Sequence, residues 1–386
     1  MKLFIFVFVF IGVCHCKLRL NDFGVELLHF TRLETDGHLS LLSPFGIWTL
    51  LTGITFGTSG TSYSEMKRAL FLPKNEMKLT DEYKDLVAAV LSRSREIISD
   101  SFNFVLIPNN ITVFPSFRKR LVNDFGMAVK ALDYTDPRVN IFANSYIKAT
   151  SKRVSYDVLR SDDFEVPSMI LVNVMSFKGL LFKQLELIKE PFYNEDNNEI
   201  GSVNMMFSKG LFPFSNIKTL KSFALELPYD TGNKYSLIIL LPYPLVKISD
   251  IYQKFSNVSL NDIFKQLNDD VNTFGLENVH VKLPRFRIST NLVLNKPLND
   301  MGVYDIFQPD LFNFKRATNE KLYVSSVINN VNIDVTMVGQ VTSNVTSSKV
   351  IPTPYFPMNR PFLYYIVEKT TTTVIVSGIY SKPTFY

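Results

Sequence analysis

The sequence has few of the residues on which metal sites and redox chemistry depend. Among its 386 residues are two cysteines, four histidines and one tryptophan. No two histidines stand at the spacing of metal ligands and no Cys-x-x-Cys pair is present, so we expect no zinc site. The glycine motifs that hold nucleotides and the Gly-x-Ser-x-Gly turn of hydrolases are absent as well. These absences predict a protein that is not an enzyme and that has no metal and no cofactor.

Both cysteines, Cys14 and Cys16, follow an apolar stretch at residues 3–13 that comes after a positively charged second residue. This arrangement is typical of a secretory signal peptide, and the stretch is too short for the roughly 20 residues of a membrane span. We predict a signal peptide over residues 1–16, with cleavage after Cys14 as the alternative. Residues 17–386 then form one domain of a secreted, extracellular protein without a membrane span.

Secretion would give meaning to three Asn-x-Ser/Thr triplets, because such sequons accept glycans in secreted proteins. They start at Asn110, Asn257 and Asn344. We predict these three asparagines as candidate glycosylation sites, and a chance triplet is the alternative at each of them.

The charge of the chain is almost balanced, with 41 basic and 36 acidic residues and a net charge of +5. Its densest basic run, Arg118-Lys119-Arg120, has no aromatic residues between the charges, and a solvated helix face is the simpler interpretation. The acidic pair Asp162-Asp163 stands in a polar stretch that is typical of a loop rather than of paired catalytic carboxylates. We therefore expect no nucleic-acid partner. We also predict a monomer.

Hydrophobic periodicity predicts helices mainly early in the chain and strands mainly late. No Gly/Ser-rich or Pro-rich linker divides the two parts, which favours one domain of the α+β class with large, mostly antiparallel sheets. The predicted helices cover residues 45–56, 62–70, 82–92, 118–125 and 139–152, and the predicted strands cover residues 223–227, 235–241, 279–286, 323–338, 362–367 and 373–380.

Five short motifs follow one another along the chain, each weak alone and specific in this order. They are SPFGI at 43–47 with GTSGT at 57–61, LVN at 171–173 with FKG at 177–179, LELPY at 225–229, LPRF at 283–286, and LYVS at 322–325 with RPF at 360–362. Together they resemble the serpins, a family of serine protease inhibitors, and the resemblance runs from about Phe30 to Pro383. The Phe-rich body without cysteine is also similar to secreted serpins of insects, some of which occur in seminal fluid.

The resemblance implies the serpin fold, with three β-sheets, about nine helices and an exposed reactive loop at about residues 339–360. In this family, a serine protease cleaves the loop and forms an acyl-enzyme, and the loop then inserts into the large sheet as a new strand. The same resemblance assigns a hinge to Gly339, Gln340, Thr342 and Asn344, and a shutter that governs the opening of the sheet to Ser43, Gly46, Asn173 and Asn329.

The scissile bond of the loop is predicted from the two ends of the loop. Counting forward from Gly339 places the bond near Thr353, and counting back from Pro361 places it near Val350, because the loop is shorter than is common in the family. Lys349 is the basic residue nearby and the first candidate for cleavage. A lysine there would suit an extracellular trypsin-like serine protease, and an exposed lysine that no protease uses is the alternative.

The hinge sequence argues against fast insertion of the loop. Met337 and Val338 stand where inhibitory relatives have an acidic pair, and the amides of Gln340 and Asn344 would face inward in an inserted strand. Burial of an amide without a partner costs about 1–3 kcal/mol, and slow insertion gives the acyl-enzyme time to hydrolyse. A glycan on Asn344 would block insertion altogether.

The shutter also departs from the family pattern. Gly46 stands in place of a serine, Asn329 in place of a histidine and Leu181 in place of a tryptophan, while Asn173 is retained. These changes predict the loss of several polar contacts, although a hydrogen bond between Asn329 and Asn173 would keep the shutter working. Two functions remain open: an inhibitor that traps a serine protease, and a non-inhibitory serpin that acts as a binding, carrier or signalling protein.

Overall fold

The computed structural model describes residues 18–35, 41–94, 97–152, 157–181, 186–229, 234–255, 257–311, 313–337 and 355–384, which contain nine α-helices and sixteen strands. In chain order the helices are α1 (Leu20–Glu34), α2 (Pro44–Thr55), α3 (Gly60–Ala69), α4 (Glu76–Val90), α5 (Pro115–Asn123), α6 (Val139–Thr150), α7 (Ile248–Lys254), α8 (Leu260–Phe274) and α9 (Asn295–Asp300). The strands are β1 (Leu41–Leu42), β2 (Ser92–Arg93), β3 (Ile97–Pro108), β4 (Ala128–Leu132), β5 (Met169–Leu181), β6 (Glu186–Tyr193), β7 (Glu199–Phe212), β8 (Phe214–Ile217), β9 (Ser222–Pro228), β10 (Tyr235–Pro242), β11 (Glu277–Pro284), β12 (Phe286–Val293), β13 (Val324–Met337), β14 (Tyr355–Pro357), β15 (Phe362–Glu368) and β16 (Thr373–Tyr380).

The strands form three sheets. The large sheet has the strand order β12-β13-β5-β3-β2, with β4 paired to β3; the core sheet has the order β1-β16-β15-β10-β9-β8; and the small sheet has the order β14-β11-β7-β6. Most neighbouring strands are antiparallel, whereas β13 with β5, β3 with β4 and β11 with β14 are parallel. The predicted α+β class with three sheets and about nine helices is confirmed.

Helix α2 lies between the large sheet and the core sheet because its sequence is apolar on all sides, and every residue of it is buried. Pro44 occupies the first turn, where an N–H would have no partner within the helix. The Oγ atom of Ser43 caps the helix by accepting a hydrogen bond from the Gly46 N–H at 3.0 Å. Contacts of α2 with β3 and β5 on one side and with β16 on the other place the main core around this helix.

Side chains of β5 and β13 alternate between two hydrophobic clusters, because successive residues of a strand point to opposite faces. Val331 of β13 and Met175 of β5 belong to the main core around α2. Ile328 of β13 and Val172 of β5 belong to a smaller cluster beneath α6. Asn329 lies two residues before Val331 and therefore on the same face of β13. Its side chain points toward α2.

The five predicted helices are all present with shifted ends. Helix α4 begins at Glu76 rather than at residue 82, because Oδ1 of Asn75 accepts hydrogen bonds from the N–H groups of Met77 and Lys78 and caps the helix there. Helices α1, α7, α8 and α9 were not among the predicted helices.

The segment 279–286, predicted as one strand, is two strands in different sheets. Strand β11 ends at Pro284, which has no N–H to donate, and β12 begins at Phe286. Between them, the N–H of Arg285 donates to the carbonyl oxygen of Asn204 at 2.8 Å while the chain crosses from the small sheet to the large sheet. Long strands also occur early in the chain, where mainly helices were predicted.

Candidate functional site

The seam between β5 and β13 is a parallel junction in the middle of the large sheet. Its pairing runs from Met169 with Val324 to Leu181 with Met337, and it brings Asn173 directly opposite Asn329. On the outer sides of the seam, β12 pairs with β13 and β3 pairs with β5, and both of these junctions are antiparallel. The seam is therefore flanked by two antiparallel strand pairs.

Three asparagines stand opposite one another on β13, β5 and β3 and form what we call the amide ladder: Asn329, Asn173 and Asn103. Nδ2 of Asn329 donates to Oδ1 of Asn173 at 2.9 Å, and Nδ2 of Asn173 donates to Oδ1 of Asn103 at 2.7 Å. All three side chains are buried. The amide ladder thus links the strands on both sides of the seam through side-chain hydrogen bonds.

Helix α2 completes the hydrogen bonds of the amide ladder at both ends. The N–H of Ser43 donates to Oδ1 of Asn329 at 2.9 Å, and Oγ of Ser43 donates to the carbonyl oxygen of Ile375 in β16 at 2.8 Å. At the other end, Nδ2 of Asn103 donates to Oγ1 of Thr49 at 3.0 Å. Because buried polar groups are costly without partners, these bonds fix the position of α2 against the seam.

Gly46 lies where the helix approaches the amide ladder most closely. A Cβ atom at this position would lie 2.1 Å from Oδ1 of Asn173, which no real side chain allows. Glycine is therefore required for the amide of Asn173 to fit under α2. The hydrogen bond between Asn329 and Asn173 that the sequence allowed is present, and Asn329 also accepts one from the N–H of Ser43.

Strands β12 and β13 are joined by further side-chain bonds on the face opposite α2, which we call the outer clamp. Oγ of Ser289 donates to Oδ1 of Asn332 at 2.6 Å, and Nη2 of Arg287 donates to Oδ2 of Asp334 at 2.6 Å. Nδ2 of Asn330 donates to Oδ1 of Asn291 at 3.2 Å. The outer clamp favours movement of β12 and β13 together.

The predicted hinge and cleavage residues lie outside the described residues. The structure describes the chain up to Met337 at the end of β13 and again from Tyr355, where β14 pairs in parallel with β11. The predicted hinge and cleavage residues that fall outside the described ranges are Gly339, Gln340, Thr342, Asn344, Lys349, Val350 and Thr353.

The other predicted residues lie within the description. The four shutter residues Ser43, Gly46, Asn173 and Asn329 meet at one place, as the preceding contacts show. Leu181, where a tryptophan was expected, is a buried residue of the main core. Asn110 and Asn257 are both exposed, the first in the turn after β3 and the second between α7 and α8.

Two residues of the site were missed by the analysis of the sequence, namely Asn103 and Thr49. Asn103 stands between Phe102 and Phe104 in a segment that ends in an apolar run, so a single amide in an apolar strand was the signal that could have identified it. Thr49 gave no such signal, because threonine is common in buried helices.

Neither a membrane-spanning helix nor a metal-binding cluster is found within the described ranges. No helix within them is long and apolar enough to cross a membrane. Within the same ranges, no group of three or more His, Cys, Asp or Glu side chains could hold a metal ion.

Comparison with known proteins identifies the class of protein that has this large mixed sheet and buried helix. The model of the family described as serpin (serine protease inhibitor) matches residues 18–383, so the chain belongs to the serpin family. Similar proteins include the leukocyte elastase inhibitor of Sus scrofa, 26% identical over 94% of this chain and 97% of the relative, and serine protease inhibitor 88Ea of Drosophila melanogaster, 24% identical over 94% and 89%.

Solved structures of the family show the same fold. Native protease nexin-1 with heparin aligns with a TM-score of 0.79 at 22% identity and covers 94% of this chain and 98% of that one. Serpin-12 of Manduca sexta aligns with a TM-score of 0.80 at 22% identity and covers 95% and 98%.

Proposed function

We propose that this chain is a serine protease inhibitor that traps its target by inserting the segment between β13 and β14 into the seam between β5 and β13. The closed parallel seam is the observation that carries the proposal. We further propose that the protein is secreted as a monomer and that its target is an extracellular trypsin-like protease attracted by Lys349.

Strand direction gives insertion its driving force. A segment that turns back after Met337 runs antiparallel to β13 and, because β13 and β5 are parallel, antiparallel to β5 as well. Insertion then replaces one parallel junction by two antiparallel junctions, which are slightly more stable per residue and which double the number of strand contacts. The closed sheet therefore has a higher free energy than the sheet with the inserted strand. It persists because a kinetic barrier separates the two states.

The chemical step supplies the free end that insertion needs. The serine oxygen of the protease attacks the scissile carbonyl, the C–N bond breaks, the released amine takes the proton, and the acyl group stays on the serine as an ester. The residues before the cleaved bond are then tethered to β13 alone. They can enter the seam and carry the esterified protease with them.

Opening of the seam breaks the hydrogen bond of the amide ladder that joins Asn329 to Asn173. The hydrogen bond from Asn329 to Asn173 crosses the seam, whereas the bond from Asn173 to Asn103 lies within the β5–β3 pair. The outer clamp keeps β12 with β13. The two halves of the large sheet are thus each held together, and the bond between Asn329 and Asn173 contributes to the barrier.

The hinge sequence favours a second candidate function, a non-inhibitory serpin that acts as a binding, carrier or signalling protein. In the family register, the residues that would face inward in the inserted strand are Gln340, Thr342, Asn344 and Thr346. Amides buried without partners slow insertion, and the ester then hydrolyses first. The protein would keep the fold and act as a substrate of proteases rather than as a trap.

One experiment separates the two functions. The purified protein is incubated with trypsin, and the products are analysed for a covalent complex that survives denaturing electrophoresis. The thermal unfolding temperature is measured before and after a single cleavage between residues 339 and 360. A covalent complex and a higher unfolding temperature of the cleaved form support the inhibitor. No complex and an unchanged temperature support the non-inhibitory function.

Matched variants test the register of the inserted strand. Thr342→Arg places a charge at an inward position and should abolish both the complex and the gain in unfolding temperature. Val341→Arg carries the same charge at an outward position and should preserve both. Equal behaviour of the two variants would contradict insertion in this register.

A further inference from the structure

A groove of about 700 Å³ lies at the end of α1, away from the amide ladder, and we call it the α1 groove. It is bounded by the last turn of α1, the turn between β6 and β7, the start of α7 and the end of β16. Its volume is within the range of about 300–1,000 Å³ that is usual for small-molecule sites. The residues that matter here are Arg32, Leu33, Ile200, Ile248, Ile379 and Lys382.

The walls of the α1 groove combine charged side chains with four large aliphatic ones, Leu33, Ile200, Ile248 and Ile379. Ile248 and Ile379 are buried, whereas Leu33 and Ile200 expose 49% and 42% of their surface. Exposed aliphatic side chains such as Leu33 and Ile200 leave apolar surface in contact with water, and a ligand with a hydrocarbon body would cover it.

The acidic groups of the α1 groove are already engaged. Oε1 of Glu195 accepts a hydrogen bond from the N–H of Ile248 at 2.7 Å. Oδ1 of Asp196 pairs with Nζ of Lys247 at 3.1 Å. These two carboxylates are therefore held in the wall of the groove by partners of their own.

The basic groups of the α1 groove are not engaged in this way. Within the described ranges, neither Arg32 nor Lys382 has a carboxylate at ion-pair distance. Nε of Arg32 is buried and has no hydrogen-bond acceptor, and its guanidinium lies 5.7 Å from the ring centre of Tyr252. A buried donor without an acceptor is rare in folded proteins, and here it borders a groove large enough for a ligand.

A second unsatisfied arginine stands in the adjoining groove of about 300 Å³, which shares Asn194, Glu195 and Pro361 with the α1 groove. Nη2 of Arg360 donates to the carbonyl oxygen of Pro242 at 2.8 Å, but its Nε is buried without an acceptor. Burial lowers the pKa of this guanidinium below its usual value. An arginine whose buried Nε has no acceptor therefore stands on each side of Pro361.

We propose that the α1 groove binds a small anionic amphiphile, with a carboxylate head held by Arg32 and Lys382 and a hydrocarbon body packed on Leu33 and Ile200. Arginine suits a carboxylate because its N–H groups form paired, charge-assisted hydrogen bonds. The proposal does not depend on loop insertion, because none of these residues belongs to the large sheet.

Another groove, of about 520 Å³, provides an internal control. Its wall is largely apolar and includes the carboxylates of Glu82 and Asp85. The described residues that line this control groove include no basic side chain to bind an anionic head, whereas the α1 groove has Arg32 and Lys382 beside its two engaged carboxylates.

Isothermal titration calorimetry of the intact protein with dodecanoate tests the proposal. We expect one saturable site for dodecanoate, weaker binding of the uncharged dodecanol, and affinity that falls as salt increases. Arg32→Gln and Lys382→Gln should each weaken dodecanoate binding by about tenfold, since each removes a charge-assisted contact. Lys119→Gln, a change at an exposed lysine of α5, should leave it unchanged.

Ile200→Glu keeps both cations and places a carboxylate where the hydrocarbon should lie, so it should also abolish binding even if Arg32→Gln fails to fold. Ala89→Trp, which fills the control groove, should have no effect. The proposal is overturned if dodecanoate shows no saturable binding, if binding survives both Ile200→Glu and Lys382→Gln, or if Ala89→Trp removes it. Trypsin inhibition is measured separately, so failure of the trap and failure of this site are distinguishable.

Discussion

The side chain of Asn173 fills the space that a Cβ atom on Gly46 would need, since that atom would lie 2.1 Å from Oδ1 of Asn173. Gly46→Ala should therefore destabilise the protein, although alanine is the better helix former by about 1 kcal/mol. Overpacking of a core typically costs about 1–3 kcal/mol, and we expect a net loss in this range by urea denaturation. In a double-mutant cycle, Asn173→Ala should remove most of this cost. An additive double variant would contradict the steric explanation.

The hydrogen bond from Asn329 to Asn173, which crosses the seam, gives a second prediction. Asn329→Ala leaves both Oδ1 of Asn173 and the N–H of Ser43 without a partner, and each unsatisfied group costs about 1–3 kcal/mol. We expect a lower stability and faster hydrogen exchange of the amides along the seam. Asn332→Ala, on the opposite face of the same strand, is the matched control and should have a smaller effect. Equal effects of the two variants would show that the ladder has no special role.

The outer clamp should contribute little energy through its ion pair. Arg287 exposes 65% of its side chain, and its pair with Asp334 is therefore weakened by water and salt. We predict a coupling energy below about 1 kcal/mol in a double-mutant cycle of Arg287→Ala and Asp334→Ala. A much larger coupling would mean that the pair is shielded from solvent.

Buried tyrosines predict a loss of stability at alkaline pH. Burial raises the pKa of Tyr229, Tyr252, Tyr364 and Tyr365 above the usual value of about 10. When a tyrosine has a higher pKa in the folded state than in the unfolded state, its full contribution to stability is present below about pH 10. The free energy of unfolding then decreases as the pH rises further. Urea denaturation as a function of pH should show this decline. A flat profile to about pH 11 would contradict it.

Tyr365→Phe is the variant that isolates one of these groups. Its hydroxyl is buried and has no hydrogen-bond partner, so its removal at neutral pH should be neutral or slightly stabilising. At alkaline pH, the variant should lose stability more slowly than the parent protein. A strong destabilisation at neutral pH would reveal a hydrogen bond that the structure does not contain.

The sequence predicts the fold well where local signals and tertiary structure agree. The Ser43–Pro44 start of α2, the predicted strands 235–241 and 373–380 and the order of the motifs all correspond to the structure. Strand β3 escapes prediction because Ser99, Asp100 and Ser101 interrupt its apolar pattern.

The amide ladder could be predicted only in part, because it depends on strand register. Asn103, Asn173 and Asn329 are far apart in the chain, and a shift of one residue in either junction would turn one amide to the other face. The resemblance supplied Asn173 and Asn329, whereas Asn103 required the pairing of β3 with β5. In the same way, the need for glycine at position 46 follows only from the position of the Asn173 side chain beside it.

The parallel junction of β5 with β13 also affects how the chain folds during its synthesis on the ribosome. The thirteen residues of β5 are synthesised long before β13, with most of the second half of the chain between them. Until β13 arrives, β5 presents a free row of N–H and C=O groups of the kind that recruits strands from other molecules. High contact order slows the closing step further. Rapid overproduction should therefore yield aggregates in which the free edge of β5 pairs with strands of other molecules. Slower synthesis should yield monomer.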